Sequence, residues 1–190
     1  IEFTRRTFKL ATAFEAAVKL NEDFDLKIPV GNSVHQRIFY TAADYFQNLM
    51  LTTKRYPYLE SKTPMDYQME NRQHKAETIA RMRVGWTDGK LHVHLLDQGF
   101  TREEIVSSGL VKSSVDMRIW DTFPDGCFIY THYDHGRPSN FTMKSMAKSK
   151  AFRLNKECAI NDAAFYGLED LGMDKIAIVE GENDRASMYD

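Results

Sequence analysis

Residues 175–190 read KIAIVEGENDRASMYD, and the rest of the chain is interpreted outward from them. The run Ile176, Ala177, Ile178, Val179 is short, β-branched and bounded by charge, the pattern of a central strand in a parallel sheet. Glu180, Gly181 and Glu182 follow it, and a helix is expected to start at Asn183 and Asp184. Open α/β sheets place their chemistry at the carboxyl ends of such strands. Gly181 lets the backbone turn tightly towards a ligand. Glu180 is a candidate general base, and Glu180 with Glu182 a candidate pair of magnesium ligands. No second strand follows to pair with the first, so the stretch reads as half of a site.

The totals bound the answer. The chain has 190 residues, 43% hydrophobic and 27% charged, which suits one domain or two small ones with a real core. No run approaches the ~18 apolar residues of a membrane span, and no signal-peptide pattern is present. Ile1 rather than Met at the start suggests an excised fragment. Cys127 and Cys158 are too few for a disulfide framework or a four-cysteine zinc site. The net charge of −2 argues against a generic nucleic-acid binder, but its distribution does not. From Arg137 to Lys156 there are six basic residues and no acidic one: Arg137, Lys144, Lys148, Lys150, Arg153 and Lys156. From Glu157 to Asp190 there are nine acidic residues and two basic ones. Basic beside acidic is what phosphate-plus-metal chemistry uses; a solvated basic face accounts for the block equally well.

The remaining chain falls into three regions. Residues 7–24 carry Phe14, Ala17, Val18 and Phe24 at helical spacing after Thr12, a candidate cap, and Pro29 and Gly31 then break the pattern. SVHQRIFYTAADYFQNLMLTTKRY puts Val34, Ile38, Phe39, Ala42, Phe46, Leu49 and Met50 on one helical face. Shorter helices are expected in TPMDYQMENRQ, KAETIARMRVG, LHVHLLDQG and TREEIVSSG, with Gly99 and Gly109 as stops and Thr101 as a start. From about Leu110 the period changes. CFIYTHYDHGRPSNFTMKSM reads as a β-hairpin around a turn containing Asp134, Gly136 and Pro138, and AAFYGLEDLG as a helix.

Other chemistry is weak. His92 and His94 point about 200° apart on a helix and cannot share a metal there. His132, Asp134 and His135 flank the hairpin turn, where such residues more often decorate than ligate. There is no G-x-G-x-x-G, no P-loop and no G-x-S-x-G, and the Ser107-Ser108 and Ser113-Ser114 pairs lack an evident base.

Val179, Glu180, Gly181 and Asp184 form V-E-G-x-x-D, which resembles the first motif of the Toprim fold of primases, topoisomerases and some nucleases. With Glu182 it is closer to the version in phage primase–helicases than to that of bacterial DnaG-type primases. Upstream, FYGLEDL resembles the L-Y-G-L segment of primases, and FTREEIVSSGLV their G-F-x-x-E-x-L-x-x-G-L segment. HKAETIARMRVGW is similar to the helix-turn before it, and FEAAVKLNEDFDLKIP to the helix that closes the primase zinc ribbon. Order and spacing agree over nearly the whole chain.

The resemblance implies an α+β chain in three parts: residues 1–30 as the trailing helix of an upstream zinc ribbon with a linker, 31–172 as the amino-terminal subdomain of a primase catalytic core, and 173–190 as the start of a truncated α/β Toprim domain. It implies template-directed synthesis of short RNA primers on single-stranded DNA, with ribonucleoside triphosphates as substrates, a fused or separate replicative helicase as partner, and a cytoplasmic setting in a bacterial or phage-infected cell. Glu180 and Asp184 are then the catalytic carboxylates, and Glu180 and Glu182 the ligands of Mg²⁺ or Mn²⁺, with Zn²⁺ expected only upstream of residue 1. Arg137, Lys144, Lys148, Lys150, Arg153 and Lys156 face the template and nucleotides. Arg137 follows Gly136 in the hairpin turn, as the arginine does in the family's D-x-x-G-R, Lys144 stands where G-F-G-G-R has its arginine, and Lys150 and Arg153 lie near K-Y-L-N. Two departures stand out: F-R-x-R is here FPDGC, and the later K-G-R is Asn161-Asp162. A fragment ending before the family's D-x-D is expected to be inactive alone. The competing class is a non-catalytic primase-like module that binds single-stranded DNA or a replisome partner, which the missing arginines favour. A Toprim nuclease or topoisomerase fits the upstream helices and hairpin poorly.

Overall fold

The computed structural model describes residues 34–134, 136–147, 151–154, 158–160, 166–167 and 178–190. The long helix α1, Val34–Thr52, has no glycine or proline to interrupt it and buries Ile38, Phe39, Ala42, Phe46 and Met50 at three- and four-residue spacing. A single 3₁₀ turn at Pro57–Leu59 follows. Helix α2, Pro64–Asp66, is capped by Thr63, whose Oγ1 accepts from the Asp66 N–H at 3.0 Å, and continues into a π turn at Tyr67–Asn71. Helix α3 is Ala76–Arg81, and strand β1 is the two-residue Gly85–Trp86.

Helices α4, Leu91–Asp97, and α5, Arg102–Ser107, are capped in different ways. The sequence signals α5 fully: Thr101 and Glu104 form a reciprocal capping box, the Thr101 N–H donating to Glu104 Oε2 at 2.7 Å. The cap of α4 comes from thirty residues away. Strand β3, Ile119–Asp121, pairs with β2, Val111–Ser113, and delivers the buried Asp121 carboxylate to the start of α4. Its two oxygens accept from the Leu91 N–H at 2.7 Å and the His92 N–H at 2.8 Å. The His92 ring Nδ1 also lies 2.7 Å from Oδ1.

Strands β4, Cys127–Asp134, and β5, Arg137–Ser145, form the expected hairpin. Pro138 lies inside β5 rather than in the turn. A bulge accommodates it: Tyr133 pairs with Pro138 but His132 with Asn140, so Ser139 is the extra residue. The last strand, β6, is Ala151–Arg153, and the sheet order is β1-β4-β5-β6, every described pair antiparallel.

Alternation along the strands divides the core in two. Cys127, Ile129, Phe141 and Met143 face α1, α4 and α5, where Phe39, Phe46, Phe123 and Phe141 pack with ring centroids 5.0 to 6.3 Å apart. Trp86, Phe128 and Tyr130 point to the other side, against Met50, Leu59, Ile79, Met82 and Val84. Gly85, paired with Ile129, faces α1 so closely that a Cβ there would lie 2.6 Å from Phe46 Cβ. The last helix, α6, Glu182–Tyr189, covers part of that second face through Ala186.

One expectation needs amendment. The segment containing β1 reads as helical in sequence, because two residues are too few to show a period. Ile178 and Val179, 94% and 37% exposed, stand in no described strand, and the rest of the expected strand, Ile176 and Ala177, lies outside the described residues. The expected helix of residues 7–24, its linker, and most of AAFYGLEDLG also lie outside the described residues.

Candidate functional site

The second face of the sheet is where charge of both signs meets. Register places Tyr130, Thr142 and Arg153 in one row across β4, β5 and β6, and Phe128, Lys144 and Ala151 in the next. The first turn of α6 lies over this face. Together they enclose a cleft of about 300 Å³ lined by Arg72, Thr142 and Lys144 together with Glu182, Asn183 and Asp184. Arg72 arrives from the end of the π turn, where its N–H donates to Tyr67 O at 3.3 Å.

Several bonds fix α6 there. The Tyr130 hydroxyl donates to Asn183 Oδ1 at 2.8 Å. Burial, reinforced by the Glu182 charge, raises the Tyr130 pKa far above the ordinary phenol value, while Gln68, Arg72 and Asn183 offset it in part. The phenol therefore stays neutral and remains a donor. The Gly181 N–H donates to Asp184 Oδ2 at 3.2 Å, which closes the first turn. At the other end Asp190 serves as a cap for α3: Oδ1 accepts from the Lys75 N–H at 3.1 Å and the Thr78 hydroxyl at 2.7 Å, and Oδ2 lies 2.9 Å from His74 Nδ1. The Lys75 ammonium bonds the Asp190 carbonyl. Arg185, on the buried side, lies 4.7 Å over the Tyr166 ring and 5.6 Å from that of Tyr189.

Of the residues singled out in sequence, Lys144, Glu182 and Asp184 line the cleft together. Glu182 Oε1 is 3.9 Å from His132 Nε2, which itself lies 2.7 Å from Thr142 Oγ1. Glu180 is exposed and lies outside the lining, and Arg153 is exposed one strand beyond Thr142 on the same face. Arg137 belongs elsewhere. It sits at the hairpin tip beside Tyr40, whose hydroxyl reaches Gly136 O at 3.5 Å. Burial raises the Tyr40 pKa, and the nearby charges of Arg137 and Arg83 counter it. Arg83 stacks 4.9 Å over Tyr133, so the hairpin tip forms a separate basic and aromatic locality. Lys148, Lys150 and Lys156 lie outside the described residues.

Arg72, Tyr130, Thr142 and Asn183 were not anticipated. The period-2 pattern of β5 carries the signal for Thr142, two positions from Lys144 and on the same face. Arg72 has no local signal, since a separate segment brings it to the cleft.

Among the described residues no group of three or more His, Cys, Asp or Glu side chains converges on a point. His132 is buried inside β4 rather than flanking the turn, and His135 lies outside the described residues. His94 stacks on Tyr45 at 4.4 Å, away from His92. Glu182 and Asp184 on one cleft wall suit magnesium, which takes one or two carboxylates and completes its octahedron with water and substrate phosphates. No described helix is long and apolar enough to cross a membrane.

No protein-family model matches the sequence, and no curated protein matches it either. Solved structures do. The DnaG catalytic core superposes with a TM-score of 0.59 at 17% identity, over 82% of this chain and 50% of that one. The Aquifex aeolicus primase, with its zinc-binding and RNA polymerase domains, gives 0.56 at 15% identity, over 81% of this chain and 38% of that one. The DnaG primase catalytic domain bound to single-stranded DNA gives 0.52 at 16% identity, over 64% and 39%. At these identities the likeness is one of fold: the chain has the α+β fold of the DnaG-type primase catalytic core. It spans half or less of the length of each of these structures.

Proposed function

We propose that the chain is the amino-terminal part of a DNA primase catalytic core, which in the full-length protein synthesises short RNA primers on single-stranded DNA. One observation carries the reading. On a fold shared with primase cores, a cleft brings Lys144 and Arg72 to the same space as Glu182 and Asp184. Phosphoryl transfer needs cations to hold phosphates and carboxylates to hold a divalent metal.

Lys144 and Arg72 bind triphosphate or template phosphates, and Arg153 extends the cationic face outward. Glu182 and Asp184 hold Mg²⁺ or Mn²⁺ together with the substrate phosphates. Bound there, the metal supplies neutralisation of phosphate charge and activation of a primer 3′-hydroxyl. Glu180, exposed at the turn before α6, joins this set as the Toprim carboxylate from a sheet that the described residues do not contain. Tyr130 acts indirectly by fixing Asn183, and with it the first turn of α6. Lys148, Lys150 and Lys156 complete the basic block, and Arg137 contributes at the hairpin tip. The reading includes a replicative helicase as partner, fused or separate, and a cytoplasmic setting. The 190-residue chain alone is inactive on this reading, for want of the remaining carboxylates.

The test is primer synthesis by the full-length protein on single-stranded DNA with ribonucleotides and Mg²⁺, comparing wild type with Glu180→Gln. Short oligoribonucleotides that vanish in the variant are the expected result. The alternative is a primase-like module that only binds single-stranded DNA or a replisome partner. The lack of arginine in FPDGC, residues 123–127, favours it. No product from either protein, with salt-dependent DNA binding retained, would establish that alternative.

A further inference from the structure

The β2–β3 ribbon carries an unusual surface. Trp120 is 45% exposed in the middle of β3 and packs on no other ring among the described residues. Directly across the ribbon it is paired with Lys112, so both side chains stand on one face. The Lys112 ammonium is 6.0 Å from the centre of the Phe152 ring on β6. Phe152 is itself partly exposed, its other side packed edge-on against the buried Phe123 at 6.3 Å. Arg118 adjoins the ribbon turn and Arg153 follows Phe152, both exposed. Two open rings thus stand with two cations, Lys112 and Arg118, against a single carboxylate at the ribbon turn, Asp116, while Arg153 stands on the opposite face of β6.

At 45% exposure Trp120 forgoes part of the about 1.5–3 kcal/mol that full burial of a large apolar side chain supplies, and its open ring face is available to a ligand. The ribbon is not loose: Asp121, the neighbour of Trp120, is locked to the start of α4, and the Thr122 N–H donates to Leu110 O at 2.9 Å. Trp120 is therefore held in position before any ligand arrives.

We infer that the ribbon and β6 form a stacking platform for single-stranded nucleic acid, with bases on Trp120 and Phe152 and phosphates on Lys112 and Arg118. Unpaired bases expose the ring faces that a duplex keeps in its own stack, and alternating rings and cations suit a strand without sequence preference. Phe152, paired with Met143, and Arg153, paired with Thr142, stand on opposite faces of the edge strand β6, so a strand that rounds this edge passes from the platform to the cleft face of Thr142 and Lys144. This rests on the reading of the chain as a template-binding primase core and adds where the template lies.

The two tryptophans make a direct test. Trp86 is fully buried and Trp120 is exposed, so acrylamide quenching of the 190-residue chain reports mainly Trp120. Oligothymidylate of about 16 nucleotides, a length matched to single-strand sites, should quench the emission and protect it from acrylamide. Trp120→Ala should weaken binding about 5- to 150-fold by anisotropy, the range given by losing one stacked base. Lys112→Ala should reduce the slope of log affinity against log salt by about 0.7. Binding with unchanged emission, and with Trp120→Ala equal to wild type, would overturn the platform while leaving template binding elsewhere intact. Equal protection by a blunt duplex, or protection that rises with protein concentration alone, would also overturn it. Complete absence of oligothymidylate binding would overturn it too, and primer synthesis by the full-length protein then judges the primase reading separately.

Discussion

Replacing Gly85 by alanine tests how α1 sits on the sheet. Gly85 has no left-handed φ, so any cost of a side chain there is one of space. An added Cβ would lie 2.6 Å from Phe46 Cβ, 3.1 Å from Phe46 C and 3.2 Å from Phe46 O. The first contact is about 0.8 Å short of ordinary van der Waals separation (3.4 − 2.6 Å). None of these atoms belongs to a flexible side-chain end, so no rotamer change relieves the clash and the helix itself must move. Overpacking of that kind costs about 1–3 kcal/mol. Against it, alanine reduces the freedom of the unfolded chain, a gain of about 0.4–1 kcal/mol. A net destabilisation of about 1–2 kcal/mol is expected, which for a chain of this size lowers Tm by roughly 2–8 °C. Urea unfolding followed by far-ultraviolet circular dichroism measures it, with the m-value held as a check that the transition is unaltered. The sign decides. A Gly85→Ala protein as stable as wild type, or more so, would show that Phe46 does not lie over β1.

Two further expectations concern the two ends of the candidate site. Burial alone would raise the Asp190 pKa, but hydrogen bonds from Thr78, the Lys75 N–H and His74 hold it below the ordinary carboxylate range. A depressed folded value means that the stabilisation is present above the unfolded value of about 3.9 and is lost as pH falls through the folded one. Asp190→Asn should therefore be less stable than wild type by about 1 kcal/mol at neutral pH, with the gap closing below about pH 4; a gap that does not change with pH would refute the ionic cap. Lys144→Ala should weaken binding of single-stranded DNA and lower the salt slope by about 0.7, while thermal unfolding stays near wild type; an unchanged slope would remove Lys144 from the phosphate contacts.

Much of the helical layer and the hairpin was legible because the signals are local. Thr101 and Glu104 announce α5 within four residues, and Ile38, Phe39, Ala42 and Phe46 declare the buried face of α1 through spacing alone. Gly136 at positive φ marks the hairpin turn between two apolar runs. What was missed has no local period. The two residues of β1 acquire their meaning only by pairing with Phe128 and Ile129. The cap of α4 is an aspartate on another strand, which no reading of residues 88–92 could reveal.

The candidate site divides in the same way. Composition and order along the chain determined that a basic block precedes an acidic motif, whose carboxylates are Glu180, Glu182 and Asp184. Tertiary structure decided which of them meet. Strand alternation and the Tyr130–Asn183 bond bring Lys144 to Glu182 and Asp184, add Arg72 from a distant turn, and leave Arg137 at the hairpin tip. The physical reason is that side-chain type is written residue by residue, whereas proximity depends on register, and register is fixed only when the apolar face of the sheet is buried against α1.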